Sequence, residues 1–131
     1  MKLNHDCIRN LLLFLEVNLK TKSNGNPKGI KLRNITGEDH LAKFTENDIY
    51  YSAGKLVEIN YIKLVNNSVA PRRMIINEIT WDGHDYIDSI RDSKVWSEVK
   101  NKTKGLSDVA IDIVKGIAVE IIKGRVNNFH F

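Results

Sequence analysis

Two helix-start signals, followed by two strand-like runs around a basic turn, fill the middle of this chain, and no other feature narrows its fold as far. Thr36-Gly37-Glu38-Asp39 and Thr45-Glu46-Asn47-Asp48 each place a threonine three residues ahead of a carboxylate. The hydroxyl can accept the N–H of the third helical residue while the carboxylate reaches back, with Asp a shorter fit than the usual Glu. The spacing predicts a short helix over Glu38 to Lys43, a turn at Phe44-Thr45, and a second helix to Ile59 with Ile49, Ala53, Leu56 and Val57 inward. Asn60 suits the left-handed position beyond the last turn. Two helices across so short a turn form a helix-turn-helix. Tyr61 to Val65 and Met74 to Ile79 then read as strands, and NNSVAPRR between them as a hairpin with a long, basic tip.

The flanks extend this pattern. Asn4 is placed to cap a first helix running to Lys20, with Ile8, Leu11, Leu12 and Leu15 at i, i+3, i+4 and i+7 forming one buried face. TKSNGNPKG reads as a polar loop that ends the helix. Ile30, Leu32 and Ile35 predict a short strand with Lys31 and Arg33 facing the other way. The order helix, strand, helix, helix, strand, strand, helix is that of a winged helix. The expected fold is therefore α+β and mostly helical, a winged helix-turn-helix domain over residues 1–104 with an appended C-terminal helix over 105–131.

Composition sets limits on function. The chain of 131 residues holds 20 Lys and Arg against 16 Asp and Glu, a net charge of +4 that does not by itself demand a nucleic-acid partner. Cys7 is the only cysteine, which excludes an internal disulfide and a CxxC metal site and points to a reducing compartment. The opening MKLNHDCIRN places His and Asp where an export signal needs an apolar run, so a cytoplasmic protein is expected. Ala110 to Ile122 is too short and too charged to span a bilayer. No phosphate-binding glycine loop or nucleophile elbow is present. No enzymatic activity, cofactor, small-molecule substrate or membrane partner is expected.

The stretch TWDGHDYIDSIRDSKVWSEVK, beginning at Thr80, concentrates a histidine and four aspartates in its first thirteen positions. Thr80 can cap a helix starting at Trp81, and Asp82 and Asp85 in its first turns gain from the helix dipole. Tyr86, Ile87 and Ile90 make the inward stripe, and Asp85, Asp88 and Asp92 run along another face, with Asp88 beside Arg91. His84 and Asp88, at i and i+4, have the spacing of two metal ligands, and His84-Asp85 is similar to the pair of HD-type phosphohydrolases. Such a site needs more ligands from other helices, and the remaining histidines are only His5, His40 and His130. A solvated helix face is the expected reading.

TWDGHDYIDSIRDSKVW resembles the signature block of a bacterial and prophage family known as domain of unknown function 2513. NHDCIRNLLLFLE and DIYYSAGKLVEINYI match its other two blocks. The resemblance extends to about Gly105. Gly54 stands where that family usually has a larger residue, and Ile59-Asn60 replaces its usual Ala-Gly. What the resemblance implies is a phage or mobile-element setting, in which small winged helices are commonly regulators or DNA-handling proteins.

If double-stranded DNA is the partner, the outward residues of the second helix, Asn47, Tyr51 and Lys55, are the candidate readers of base edges. From Thr36 to Ile59, however, five acids face two lysines. That is unfavourable for a groove-reading helix, because affinity for DNA comes mostly from neutralising phosphates. Cations lie elsewhere: between Val17 and Gly37 there are five and no acid. Lys31 and Arg33 from the strand, with Lys63, Arg72 and Arg73 from the hairpin, are the candidate contacts to a backbone or minor groove. The alternative is a winged-helix module for protein interaction or assembly that does not touch DNA. Its support is the last helix, capped by Ser107, where nine of the thirteen residues from Ala110 to Ile122 are apolar. That face is wider than one core requires. It is expected to pair with a second copy through Ile113, Ile117, Ala118 and Ile121, or else to be wrapped by its own domain and the Phe129-His130-Phe131 tail.

Overall fold

A computed structural model describes residues 2–65, 70–104 and 109–127. Ser107, part of the hairpin tip and the Phe129-His130-Phe131 tail lie outside the described residues. The chain is α+β and mostly helical, with five α-helices and two small antiparallel sheets among those residues. It divides into two compact units, Leu3–His84 and Asp85 onward.

The first unit opens with α1, His5–Asn18, capped by the Asn4 side chain accepting the Cys7 N–H at 3.0 Å. Ile8, Leu11, Leu12 and Leu15 are fully buried, as their spacing predicts. The segment read as an open loop is instead a hairpin of β1, Lys20–Thr21, and β2, Pro27–Lys28. Gly25 takes φ +87° at its tip and donates its N–H to the Lys22 carbonyl at 2.9 Å. This is a turn that a side chain would strain. The expected strand at Ile30 stops after β3, Ile30–Lys31, and Leu32–Asn34 forms a 3-10 turn. The cause is in the spacing: Leu32 and Ile35 are three apart, the repeat of a 3-10 turn rather than a strand, and both are buried.

The two threonine signals have different outcomes. Thr45 caps α2, Glu46–Glu58, its hydroxyl accepting the Asp48 N–H at 3.1 Å. Thr36 instead donates to the Arg33 carbonyl at 3.3 Å. The helix expected over Glu38 to Lys43 is only a 3-10 turn, Asp39–Leu41, because Gly37 at φ +91° and Asp39 at φ +34° break any right-handed run. Leu41 is still fully buried, so this turn plugs the core without extending into a helix. In α2, Ile49, Ser52, Ala53 and Leu56 are buried, and Val57 is only half-buried. Asn60 ends the helix at φ +60°.

Strands β4, Ile62–Leu64, and β5, Ile75–Ile79, join β3 in a three-stranded sheet of order β3-β5-β4. Ile62 faces Ile79 and Lys63 faces Glu78, but Leu64 faces Ile76, so Asn77 bulges out of register. On the other side Ile30 faces Ile76 and Lys31 faces Ile75.

Helix α3, Trp81–Ile90, starts at a double contact: the Thr80 hydroxyl accepts the Gly83 N–H at 3.0 Å and donates to the Asn60 carbonyl at 2.6 Å. A Cβ on Gly83 would collide with the Tyr61 carbonyl and lie 2.7 Å from Ile79 Cγ2, which accounts for glycine there.

In the second unit Tyr86, Ile87 and Ile90 are fully buried, as the inward stripe predicts. The expectation that Asp92 continues the face of one long helix is corrected. α3 ends at Ile90, and the Asp92 carboxylate caps a new helix, α4, Ser93–Lys102, accepting the N–H groups of Lys94 at 2.8 Å and Val95 at 3.0 Å. Val95, Trp96 and Val99 are its buried face. Helix α5, Ile111–Asn127, packs on α4 through a stripe of Ile111, Val114, Ala118 and Ile121, all buried.

Candidate nucleic-acid interface

The antiparallel register of the sheet decides which cations meet. Pairing Lys31 with Ile75 sets the end of β3 beside the start of β5, and the Leu32 N–H continues the ladder to the Met74 carbonyl at 3.0 Å. Just before β5, Pro71–Arg73 makes a 3-10 turn with proline at its start, where the missing N–H costs nothing. Lys31, Arg33, Arg72 and Arg73 are therefore gathered, with Met74 and Ile75, around a cleft of about 240 Å³. All four are exposed. The cleft has an apolar floor and a rim of four cations, with no carboxylate among its lining residues. Like charges so placed repel one another, and an anion of phosphate size relieves that repulsion.

The other four candidates are not in this cleft. Lys63 reaches Glu78 across the strands at 3.8 Å. Lys55 is held by Glu58 at 3.1 Å and lies 5.3 Å from the centre of the Tyr51 ring. The hydrogen bond to Glu58, followed by the charges of Glu58 and Tyr51, pushes the Lys55 ammonium above its usual range. Asn47 is exposed and Tyr51 half-buried on α2, whose first turn carries Glu46 and Asp48. Thus four of the eight predicted residues converge, and of the rest Lys55 on α2 and Lys63 on β4 are each paired with a glutamate.

A wider cleft of about 600 Å³ opens between the end of α1, the β1–β2 hairpin and β5. Its lining mixes Glu16, Glu78, Lys20 and His84 with apolar side chains, so it has no single sign. In α3 and beyond, Asp85 is paired with Lys115 at 2.6 Å and Asp88 with Arg91 at 2.8 Å. Among the described residues no three His, Cys, Asp or Glu converge as a metal site. Cys7 is fully buried; burial pushes its thiol up, partly offset by a hydrogen bond with Ser52 and reinforced by the charge of Asp48.

On α5, Ala118 is fully buried and Ile121 is 8% exposed, so neither is open to a second copy. Ile113 is 56% exposed and Ile117 half-buried. Val126, 65% exposed, adds an apolar side chain that the sequence reading left out. No helix of the described residues is long and apolar enough to cross a membrane. The sequence reading also missed the hairpin carrying Lys20, Lys22 and Lys28, although Asn24-Gly25 is a recognised turn signal.

These features define a mostly helical α+β protein with a cationic cleft at one end of a small antiparallel sheet. The chain belongs to the DUF2513 family, described as a hypothetical protein, whose model matches residues 2–108. It is 33% identical over 123 residues to an uncharacterized protein of Haemophilus influenzae, a match covering 93% of this chain and 96% of that one. No solved structure matches it.

Proposed function

We propose that this chain is a winged-helix module that binds double-stranded DNA through its wing, with a regulatory or DNA-handling role rather than a catalytic one. The observation that carries the reading is the convergence of Lys31, Arg33, Arg72 and Arg73 on one cleft whose lining residues include no carboxylate. The element order from α1 through β3, the Asp39–Leu41 turn, α2, β4 and β5, with strand order β3-β5-β4, supports the winged-helix reading. The reduced first helix of the helix-turn-helix makes the wing, more than α2, the main contact. Fluorescence anisotropy with a mixed-sequence duplex tests it. Binding that weakens steeply with salt, and weakens again in Arg72→Ala/Arg73→Ala, is expected. Absence of binding even at low salt would remove the reading.

A second reading, a protein-interaction module, is favoured by α2, whose exposed Glu46 and Glu58 would repel phosphates. Self-association through the apolar residues left open on α5 is part of it, and is compatible with DNA binding by the first unit.

A further inference from the structure

We infer that the β1–β2 hairpin is a second phosphate-contacting element, gripping the backbone of a DNA duplex alongside the cleft; this rests on the DNA reading above. The hairpin places Lys20 directly opposite Lys28. Like charges in cross-strand register are destabilising, so folding alone gives no reason for this pairing. Lys22 adds a third cation at the entrance to the turn, where its N–H meets the Asn26 carbonyl at 2.6 Å. All three lysines are exposed.

Four lysines elsewhere in the fold are held by carboxylates, whereas those of the hairpin, like Lys31, Lys94, Lys102 and Lys104, form no ion pair among the described residues. The four are Lys55, Lys63, Lys115 and Lys123, with partners at 3.1, 3.8, 2.6 and 4.0 Å. Of the two carboxylates that share the wider cleft with Lys20, Glu78 is taken by Lys63 and Glu16 forms no ion pair with Lys20. The hairpin also joins the cationic cleft directly. Lys28 is followed by Gly29 and β3, so Lys28 and Lys31 are separated by at most about 10 Å of chain. A duplex carries one charge per roughly 1.7 Å of axis, and two clusters at that spacing meet different phosphates of the same duplex. The contact is therefore with backbone charge and is indifferent to sequence.

The test is the slope of log affinity against log salt for a mixed-sequence duplex, measured by anisotropy on the full chain. Each phosphate contact contributes about 0.9 to that slope. Lys20→Ala/Lys22→Ala/Lys28→Ala is expected to make it shallower by about 2 to 3, equally for unrelated sequences. Lys94→Ala/Lys102→Ala/Lys104→Ala, which removes the same charge from exposed positions in and after α4, is expected to leave it within about 0.5 of the parent. Circular dichroism confirms that each variant is folded. A hairpin variant with the parental slope, or a control variant that loses as much, would overturn the inference while leaving the wing reading intact. Failure of the parent to bind would overturn both.

Discussion

At Gly83 a single methyl group separates two opposite outcomes of the same substitution. Gly83→Ala drives a Cβ into the Tyr61 carbonyl and against Ile79, where α3 leaves the sheet. Overpacking of this kind costs about 1–3 kcal/mol. Gly54, inside α2, has nothing within 4 Å of an added Cβ, and Gly54→Ala is expected to stabilise by roughly 0.5–1 kcal/mol. Urea denaturation of the two variants measures the contrast, and equal midpoints would contradict it. Asp92 brings pH into the comparison. Its carboxyl is held below the usual range, first by the N–H groups of Val95 and Lys94 and then by the charges of Arg125 and Lys94. A carboxylate depressed in the folded state stabilises above its unfolded value, and the benefit is lost as pH falls through the lowered folded value. Asp92→Ala should therefore lower the Tm at neutral pH, with the gap to the parent closing as the solution is acidified below about 3.9. A gap that is constant with pH would refute the charged cap.

Among the elements, those fixed by local chemistry were legible in the sequence, and those decided by competition between partners were not. The α1 stripe, the Thr45 cap and the left-handed Asn60 follow directly from residue type and spacing. Thr36 carries the same cap pattern as Thr45 and fails, because Gly37 and Asp39 adopt positive φ and its hydroxyl turns back to Arg33. Asp92 reads in the sequence as one more acid on a helix face, although Asp is also a favoured cap and a break there starts α4. For the site, the cations are legible one by one, but only the β3–β5 register shows that four of the six candidate cations converge. The break at Asp92 also separates the two tryptophans into different surroundings. Trp81 at the start of α3 is 87% exposed, whereas Trp96 in α4 is 5% exposed. Trp96→Ala is expected to cost about 3–5 kcal/mol, and Trp81→Ala little. Acrylamide should quench Trp96→Phe, which retains only Trp81, far more than Trp81→Phe. Similar quenching of the two variants would contradict the assignment of α4's buried face.

For the whole molecule, a net charge of +4 understates the separation of charge along the chain. The run from Val17 to Gly37 is purely cationic, whereas Thr36 to Ile59 carries five acids against two lysines. In the DNA complex proposed above, such a distribution would attract the polyanion through the cationic segment and repel it from the acidic one, orienting the chain before any base is read. Oligomeric state belongs to this scale as well. In α5 the buried stripe of Ile111, Val114, Ala118 and Ile121 satisfies one face, and Ile113 and Val126 remain 56% and 65% exposed. Ile113 and Val126, 13 residues apart, flank the buried stripe on opposite sides of α5, so a two-fold pairing that covers both has to wrap around the helix. Light scattering at tens of micromolar, where dimers of ordinary affinity form, is expected to give twice the chain mass. Ile113→Glu/Val126→Glu replaces only exposed side chains, so it should fold as the parent does and scatter as a monomer. A parent that is monomeric at that concentration, or a double variant that remains dimeric, would exclude α5 as the contact.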